Sequence, residues 1–561
     1  MKFKGSLIYL ISLILIISTV FSSCCCSSIV DSIVQNESSS VDSELSNGGD
    51  HSEENDYSNN GESDGDHSEE NDYSDNGESD GDHSDKNDCR HVDANENDYC
   101  DSCGTYVVIV VDFYTINDLH GKFADTDNQP GVDELTTYLK NAKKTDDYTV
   151  FLSSGDMWQG SSESNLTKGK IVTDWMNEMG FVSMTLGNHE FDWGEEYVAE
   201  NASFANFPLL AINVYDRDTN KRVEYASPSV IIECGDVKIG IIGAIGDCYS
   251  SIAPEKVEDV YFKVGDELTA LVQAESNKLR NSGADFIVYS LHDGYGSSMS
   301  STNEISGNKI SSYYDVILSE GYVDLVFEAH THKNYVMYDR SGVYHLQGGG
   351  DNKGITHAEV AINYVNDSFR MQAAEYVKTS VYTSLKDDEI VADLLAKYDD
   401  DISIANRVVG YNKSYMSSDA LCDLAAKLYY EAGIEKWGSK YNIVLGGGFL
   451  KARSPYSLQA GEITYGDLQS IFPFDNQLVL CSIKGKDLSA KFFNTSNSDY
   501  HIYYGQYGAS VKNSIDPNAT YYIIVDSYTS TYAPNNLTEI ERFEDGIYAR
   551  DLIADYFESM K

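Results

Sequence analysis

Positive charge is what this chain has least of. Its 561 residues hold 40 Lys and Arg against 90 Asp and Glu, a net charge of −50. Neutralising the phosphates of a nucleic-acid polymer takes a basic surface, so that class of partner is excluded at the outset. Much of the imbalance is local: residues 31–103 carry 24 acidic and 2 basic side chains, or −22 of the −50. Aliphatic side chains are almost absent between Leu45 and residue 88. With nothing to bury, that stretch cannot offset the entropy of ordering, and residues 27–88 are expected to be a disordered acidic spacer. Gly49-Asp50-His51-Ser52-Glu53-Glu54-Asn55-Asp56-Tyr57 recurs from Gly65 and, degraded, from Gly81, a period of 16. A solvated linker accounts for it better than a calcium-binding tract.

A disulfide framework is missing as well. Of ten cysteines, Cys24, Cys25 and Cys26 cluster near the start, while Cys234, Cys248, Cys422 and Cys481 stand apart in apolar surroundings and read as buried thiols. The apolar run Leu7–Phe21, behind Lys2 and Lys4, is short for a membrane span and long enough for an export signal over residues 1–26. Phe21-Ser22-Ser23-Cys24 resembles a bacterial lipoprotein box, which would put a lipid on Cys24 and hold an exported chain at a membrane surface. A single anchoring helix is the alternative.

What is present begins at residue 89. Cys89, His91, Cys100 and Cys103 could hold one structural zinc ion, since Cys-x₂-Cys lets two thiolates reach a single ion. Residues 89–104 are similar to short Cys-His knuckles, and a local disulfide such as Cys89–Cys100 is the competing reading. Asp93, Asn95 and Asn97 mimic the start of an EF-hand loop, but Asp98 stands where glycine is needed and no twelfth-position Glu follows.

The length calls for two folded domains plus extra segments. The expected boundaries are 105–385 for the first, 386–406 for a charged linker helix and 407–561 for the second. Tyr106–Phe113, Tyr148–Leu152, Phe181–Leu186, Val237–Ile245, Asp285–Ser290 and Val323–Phe327 are β-branched-rich apolar runs of buried-strand length. Helical patterns at Val132–Ala142 and Ile171–Met179 lie among them, which is α/β architecture. In the second domain Ser418 is expected to cap a helix with Leu421, Leu424, Ala425 and Leu428 on one face, and Gly433 to stop it. The strand Tyr441–Leu445 should then run into Gly446-Gly447-Gly448, with a late strand at Tyr521–Val525.

Five of the six runs end in metal-ligand side chains. The segments read Asn117-Asp118-Leu119-His120-Gly121, Gly155-Asp156, Gly187-Asn188-His189-Glu190, His292-Asp293-Gly294 and His330-Thr331-His332. Any one alone is weak; together, in this order, they supply hard oxygens and imidazoles without thiolates. That donor set suits a pair of divalent cations, which acidify water and clamp a phosphoryl group. Asp156 is the best bridging carboxylate. His345 and His357 lack such a motif and read as structural, while Glu190 and Asp293 are expected behind the ligands or facing solvent.

The chain resembles the 5′-nucleotidase/UDP-sugar hydrolase family over about residues 105–550. That family is a branch of the calcineurin-like metallophosphoesterases with a C-terminal nucleotide-recognition domain. The resemblance implies an N-terminal four-layer β-sandwich flanked by helices and a C-terminal α/β domain. It implies two divalent ions, one on Asp118, His120, Asp156 and His332, the other on Asp156, Asn188, His292 and His330. Some members carry Gln where this chain has His332. It implies a catalytic dyad, His189 and Asp192. In Pro473-Phe474-Asp475-Asn476 it implies that Phe474 stacks on a base and Asn476 hydrogen-bonds base or ribose, with Tyr528 as the second ring. The chain departs from the family at Gly448-Phe449-Leu450, where Arg453 is the nearest replacement for the usual arginine. Lys413 is the nearest cation to an absent arginine pair, and Thr531-Tyr532-Ala533-Pro534-Asn535-Asn536 replaces a glycine-rich loop. The expected activity is release of phosphate from nucleotides outside the cell. The alternatives are a 2′,3′-cyclic-nucleotide phosphodiesterase, a UDP-sugar hydrolase, or a surface binding protein without catalysis.

Overall fold

The computed structural model describes residues 89–125, 130–295, 305–306, 321–339, 341–531, 536–543 and 547–561. The expected export signal, Cys24 and the acidic repeat lie outside these residues, as do Tyr532, Ala533, Pro534 and Asn535. Among the described residues, no helix is long and apolar enough to cross a membrane.

The first half forms β1 (Val108–Ile116), β2 (Thr149–Ser153), β3 (Ser183–Thr185), β4 (Leu209–Leu210), β5 (Val214–Asp216), β6 (Ser229–Cys234), β7 (Val237–Ile245) and β8 (Val260–Phe262). It continues through β9 (Phe286–His292), β10 (Ile305–Ser306), β11 (Leu325–Glu328), β12 (Asn334–Tyr338), β13 (Tyr344–Gly348), β14 (Gly354–Asn363) and β15 (Phe369–Lys378). One sheet has the order β15-β14-β1-β2-β3-β4 and the other β10-β12-β13-β11-β9-β7-β6. They face each other across a core of Val111, Phe113, Val150, Leu152, Ile239, Ile241, Phe286, Val288 and Phe327. Being buried on both faces, these strands read as continuous apolar runs rather than alternating ones. Leu135, Leu139, Val172, Trp175 and Met176 from helices Asp133–Thr145 and Lys170–Met179 share the core outside the first sheet. Leu268, Val272 and Leu279 of helix Asp266–Asn281 cover the second. The result is helix, sheet, sheet, helix, the four layers expected.

The second half adds the pair β16 (Val408–Asn412) and β18 (Gly461–Thr464), together with β17 (Ile443–Phe449), β19 (Leu478–Lys484), β20 (Tyr500–Tyr503), β21 (Thr520–Asp526) and β22 (Thr538–Arg542). A five-stranded sheet runs β20-β17-β21-β19-β22. Helix Ser418–Trp437 places Leu421, Ala425 and Tyr429 against Ile443, Leu480 and Ile524 on one face, and Leu488 and Phe492 pack on the other. This is an α/β layer, as the sequence indicates.

Three local expectations are corrected. The helix cap is Ser417, whose hydroxyl accepts the Ala420 N–H, and Ser418 is already the first helical residue. Gly433 does not stop that helix, which continues to Trp437; a Cβ there would lie 2.6 Å from Ile524 Cδ1, so glycine is required by close helix–sheet approach. Gly446, Gly447 and Gly448 do not follow a strand but lie inside β17, where Gly446 faces the backbone of Tyr430 and Ala426 in the same helix.

Candidate metal centre and adjoining cavity

β1, β2 and β3 are parallel neighbours in one sheet, and β9 and β11 in the other. Asp118 and His120 follow β1, Asp156 follows β2, Asn188 and His189 follow β3, His292 ends β9, and His330 and His332 follow β11. Carboxyl ends of parallel strands are where such folds gather reactive groups. Five of these residues stand in the left-handed region: Asp118 at φ 50°, His120 at 51°, Asp156 at 55°, His330 at 66° and His332 at 55°. None is glycine, and each such conformation costs about 1–3 kcal/mol and persists only where its surroundings enforce it. Strain concentrated on these particular side chains marks them as a site.

The donors converge. Asp118, His120 and His332 offer ligand atoms all within 4.8 Å of one another, as do Asp118, Asp156 and His292. His292 Nε2 lies 3.3 Å from Asp156 Oδ2 and 3.2 Å from Asn188 Oδ1. The His292 and His330 rings are 5.4 Å apart. Asp118, His120, Asp156, Asn188 and His292 are almost wholly buried. His120 Nδ1 and His292 Nδ1 sit 3.0 and 2.8 Å from the carbonyl oxygens of Gln159 and Ser154. Those acceptors hold the ring proton on Nδ1 and turn the Nε2 lone pair inward. His120 Nε2 and His332 Nε2 then approach to 3.0 Å, a contact two lone pairs tolerate only with a proton or cation between them. Asn188 Nδ2 is buried without a hydrogen-bond partner. Oxygen and imidazole donors, inward lone pairs and a carboxylate shared between clusters fit hard divalent cations. Cys248 comes near the His292–His330 side, but its thiol points to the His292 carbonyl at 3.4 Å and burial pushes its pKa well above the ordinary thiol value.

The supporting residues are equally specific. Asn117 Nδ2 donates to Asp118 Oδ2 at 2.7 Å and to the Gly349 carbonyl at 2.8 Å. Glu190, expected behind the ligands or at solvent, is fully buried. Its carboxylate accepts the N–H groups of Asp156, Met157 and Gly187 at 2.9, 2.8 and 2.6 Å. It thus ties the loop after β2 to the loop after β3. Burial, with Asp156 adding to it, raises Glu190 to about 7. His189 Nδ1 is 2.6 Å from Asp192 Oδ2, and the His189 N–H reaches Asp156 Oδ1 at 2.8 Å.

Beside His189 opens a cavity of about 290 Å³. His189 and Asp192 line it together with Arg453, Phe474, Asn476 and Tyr528, so all four expected substrate contacts share a cavity with the expected dyad. Arg453 Nη2 lies 3.4 Å from His189 Nε2, and its guanidinium sits 5.6 Å from the Phe474 ring centre. Phe449, Lys451, Lys256 and Asp526 also line the cavity. Phe449, which the sequence marks only as a departure from the family, lies 5.7 Å ring to ring from Tyr528; its place directly after Gly446-Gly447-Gly448 is the signal that could have found it. Lys256 comes from the first half of the chain and nothing in its neighbourhood marks it. Lys413 is exposed and does not line the cavity.

Residues 112–334 match the calcineurin-like phosphoesterase family, and residues 402–535 match the 5′-nucleotidase C-terminal domain. The chain is 25% identical over 463 residues to protein UshA of Yersinia enterocolitica, spanning 72% of this chain and 82% of that one. It is 27% identical over 466 residues to endonuclease YhcR of Bacillus subtilis, covering 74% of this chain but 37% of that protein. The crystal structure of a 5′-nucleotidase precursor from Thermus thermophilus superposes with a TM-score of 0.59 at 18% identity, over 81% of this chain and 97% of that one, which speaks for the fold. With both family domains present in order on a fold of this kind, the chain belongs to the 5′-nucleotidase/UDP-sugar hydrolase family and is a metal-dependent phosphoric ester hydrolase.

Proposed function

We propose that this enzyme is exported and hydrolyses nucleotides to nucleoside and phosphate. The observation that carries the reading is the single cavity that has His189 and Asp192 on its wall beside the ligand cluster and Phe474, Asn476 and Tyr528 lining the rest. Asp118, His120, Asp156 and His332 would hold one divalent ion, and Asp156, Asn188, His292 and His330 a second. Such a pair supplies an acidified water and neutralises charge on the phosphoryl oxygens. Asp192 holds His189 Nδ1, leaving Nε2 toward the cavity to deliver a proton to the departing 5′-oxygen. Arg453, beside that Nε2, holds a phosphoryl oxygen. Phe474 and Tyr528 receive the base on their ring faces and Asn476 fixes its edge or the ribose. Lys2, Lys4 and the run Leu7–Phe21 support export.

A second reading, cleavage of a nucleoside diphosphate sugar, is favoured by Lys256 and Lys451 on the same cavity, since two further cations suit a second phosphoryl group. Degradation of nucleic-acid chains is opposed by the net charge of −50. Phosphate release from AMP, UDP-glucose, cyclic AMP isomers and single-stranded DNA, with Mn²⁺, Co²⁺ or Zn²⁺, separates these readings. His189→Ala is expected to lower turnover of the preferred substrate about 10²–10⁴-fold with metal content unchanged. Unchanged turnover would remove His189 from the reaction.

A further inference from the structure

Residues 89–107 fold through hydrogen bonds of their own just ahead of β1. The N–H of Cys100 donates to the Thr105 carbonyl at 2.7 Å, that of Gly104 to the Cys100 carbonyl at 2.8 Å, and that of Asp101 to the Val92 carbonyl at 2.7 Å. Asp93 is buried and its carboxylate accepts the N–H groups of Asn97 and Asp98, both at 3.0 Å. These turns bring Cys89, His91, Cys100 and Cys103 together, with all four donor atoms within 4.8 Å of one another. The cysteines are free thiols.

We propose that Cys89, His91, Cys100 and Cys103 form a closed tetrahedral zinc site that locks this segment into a rigid loop at the edge of the first sheet.

The distances decide between zinc and a disulfide. Cys89 Sγ and Cys100 Sγ are 3.8 Å apart. Two sulfurs each about 2.3 Å from one ion at the tetrahedral angle are separated by about 3.8 Å, whereas a disulfide needs about 2.0 Å. Cys103 Sγ is 3.4 Å from His91 Nδ1. A sulfur at about 2.3 Å and an imidazole nitrogen at about 2.0 Å from the same ion are separated by about 3.5 Å. The surroundings also suit thiolates: the Val92 N–H points to Cys100 Sγ at 3.5 Å, and the Thr105 hydroxyl lies 3.2 Å from Cys103 Sγ. Each thiol would give up its proton on binding, and no ligand position is left open.

The segment is docked, not merely folded. Asn363 Nδ2, at the end of β14, donates to Asp93 Oδ2 at 2.8 Å, and Arg370 of β15 pairs with Asp98 at 2.8 Å. The Val107 N–H, just ahead of β1, donates to the Asp98 carbonyl at 2.9 Å. The His91 ring meets Tyr364 edge-on with centres 6.2 Å apart. Zinc would therefore close residues 89–103 into a rigid loop bonded to both β14 and β15 and leading directly into β1.

The test uses the full chain purified without reductant, and does not use turnover as its readout, so it stands or falls separately from the nucleotide reading. Metal analysis should find one more equivalent of zinc in the wild-type chain than in Cys89→Ser/Cys103→Ser. After cobalt exchange the wild-type chain should show a thiolate-to-cobalt charge-transfer band that the variant lacks, because the phosphoesterase ligands include no thiolate. Should the variant fold poorly, alkylation of the wild-type chain answers the same question: Cys89, Cys100 and Cys103 should react only after a chelator is added. Equal alkylation with and without chelator, or a Cys89–Cys100 disulfide revealed by a chain two hydrogens lighter, would overturn the proposal.

Discussion

Gly187 shows how little room the centre leaves. A Cβ at this position would collide with Asp156 Oδ1 and lie 2.6 Å from His292 Cε1. Asp156 cannot retreat, because Glu190 holds its N–H on one side and the His189 N–H holds its carboxylate on the other. Gly187→Ala is therefore expected to displace the shared carboxylate, lower metal content, and cut phosphate release about 10²-fold or more. Full activity with full metal content would mean that Asp156 is not where the chemistry needs it. A second residue-scale prediction concerns His357, whose ring joins three strands by bonding Asp112 at 2.7 Å and Glu375 at 3.0 Å. Burial works to lower its pKa, but the two carboxylates outweigh it and leave the group above its ordinary value. A raised folded-state value means stability that is complete below about pH 6 and fades as pH rises through the folded value. The loss of melting temperature in His357→Gln should thus be larger at pH 5.5 than at pH 8.5; an equal loss at both would show that the charge contributes nothing. The convergence of the expected donors Asp118, His120, Asp156, His292 and His332 was legible in the sequence because identity, order and position after apolar runs all agreed. Glu190 was not, because its role lies in four backbone N–H groups, three of which only the fold brings to it.

The strands and helices were readable wherever burial was two-sided and apolar. β7 matches its expected range at both ends, and β1, β2 and β9 shift by three residues or fewer. Gly433 misled because two physical needs for glycine, helix termination and close approach, look identical in one dimension. They differ in backbone: a terminating glycine takes a positive φ, and Gly433 does not. Alanine has the better helix propensity by about 1 kcal/mol, but forcing a methyl against Ile524 costs about 1–3 kcal/mol. Gly433→Ala should therefore destabilise the second half by roughly 1 kcal/mol, read as a lower denaturation midpoint with an unchanged slope; a gain would mean that the helix accepts a methyl against Ile524 and that close approach does not require glycine there. Arg550 makes a similar point about loops. It lies in the last helix, yet it donates to the Phe474 carbonyl at 3.0 Å and pairs with Asp475, which Lys168 also holds at 2.9 Å. The Phe474 loop is thus clamped by a residue about 75 positions away in the chain, and no local pattern announces that clamp.

At the scale of the whole molecule, the two halves meet around the site through contacts that sequence cannot foretell. Lys168 reaches Asp475, Asn165 Nδ2 donates to the Gln469 carbonyl at 3.3 Å, and Arg542 pairs with Glu255 at 2.9 Å, each joining residues about 300 apart. The halves were legible separately, from their motifs, whereas the cavity that neither makes alone was not. On the proposed reading that arrangement divides the work: the first half supplies the metal donors and His189, the second supplies Phe474, Asn476, Tyr528 and Arg453. Division of labour has a kinetic signature. Losing a stacking face should cost about 1–3 kcal/mol in recognition of a base, or roughly 5- to 150-fold in kcat/KM for AMP. On the proposed reading a phosphoester without an aromatic ring, such as glycerol phosphate, uses only the metal donors, His189 and Arg453. Phe474→Ala should leave its hydrolysis within about twofold, since no transition-state contact is removed. If both substrates fell together, Phe474 would be supporting Arg453 or His189, and specificity would have to reside in other walls of the cavity, with Phe449 the first to examine.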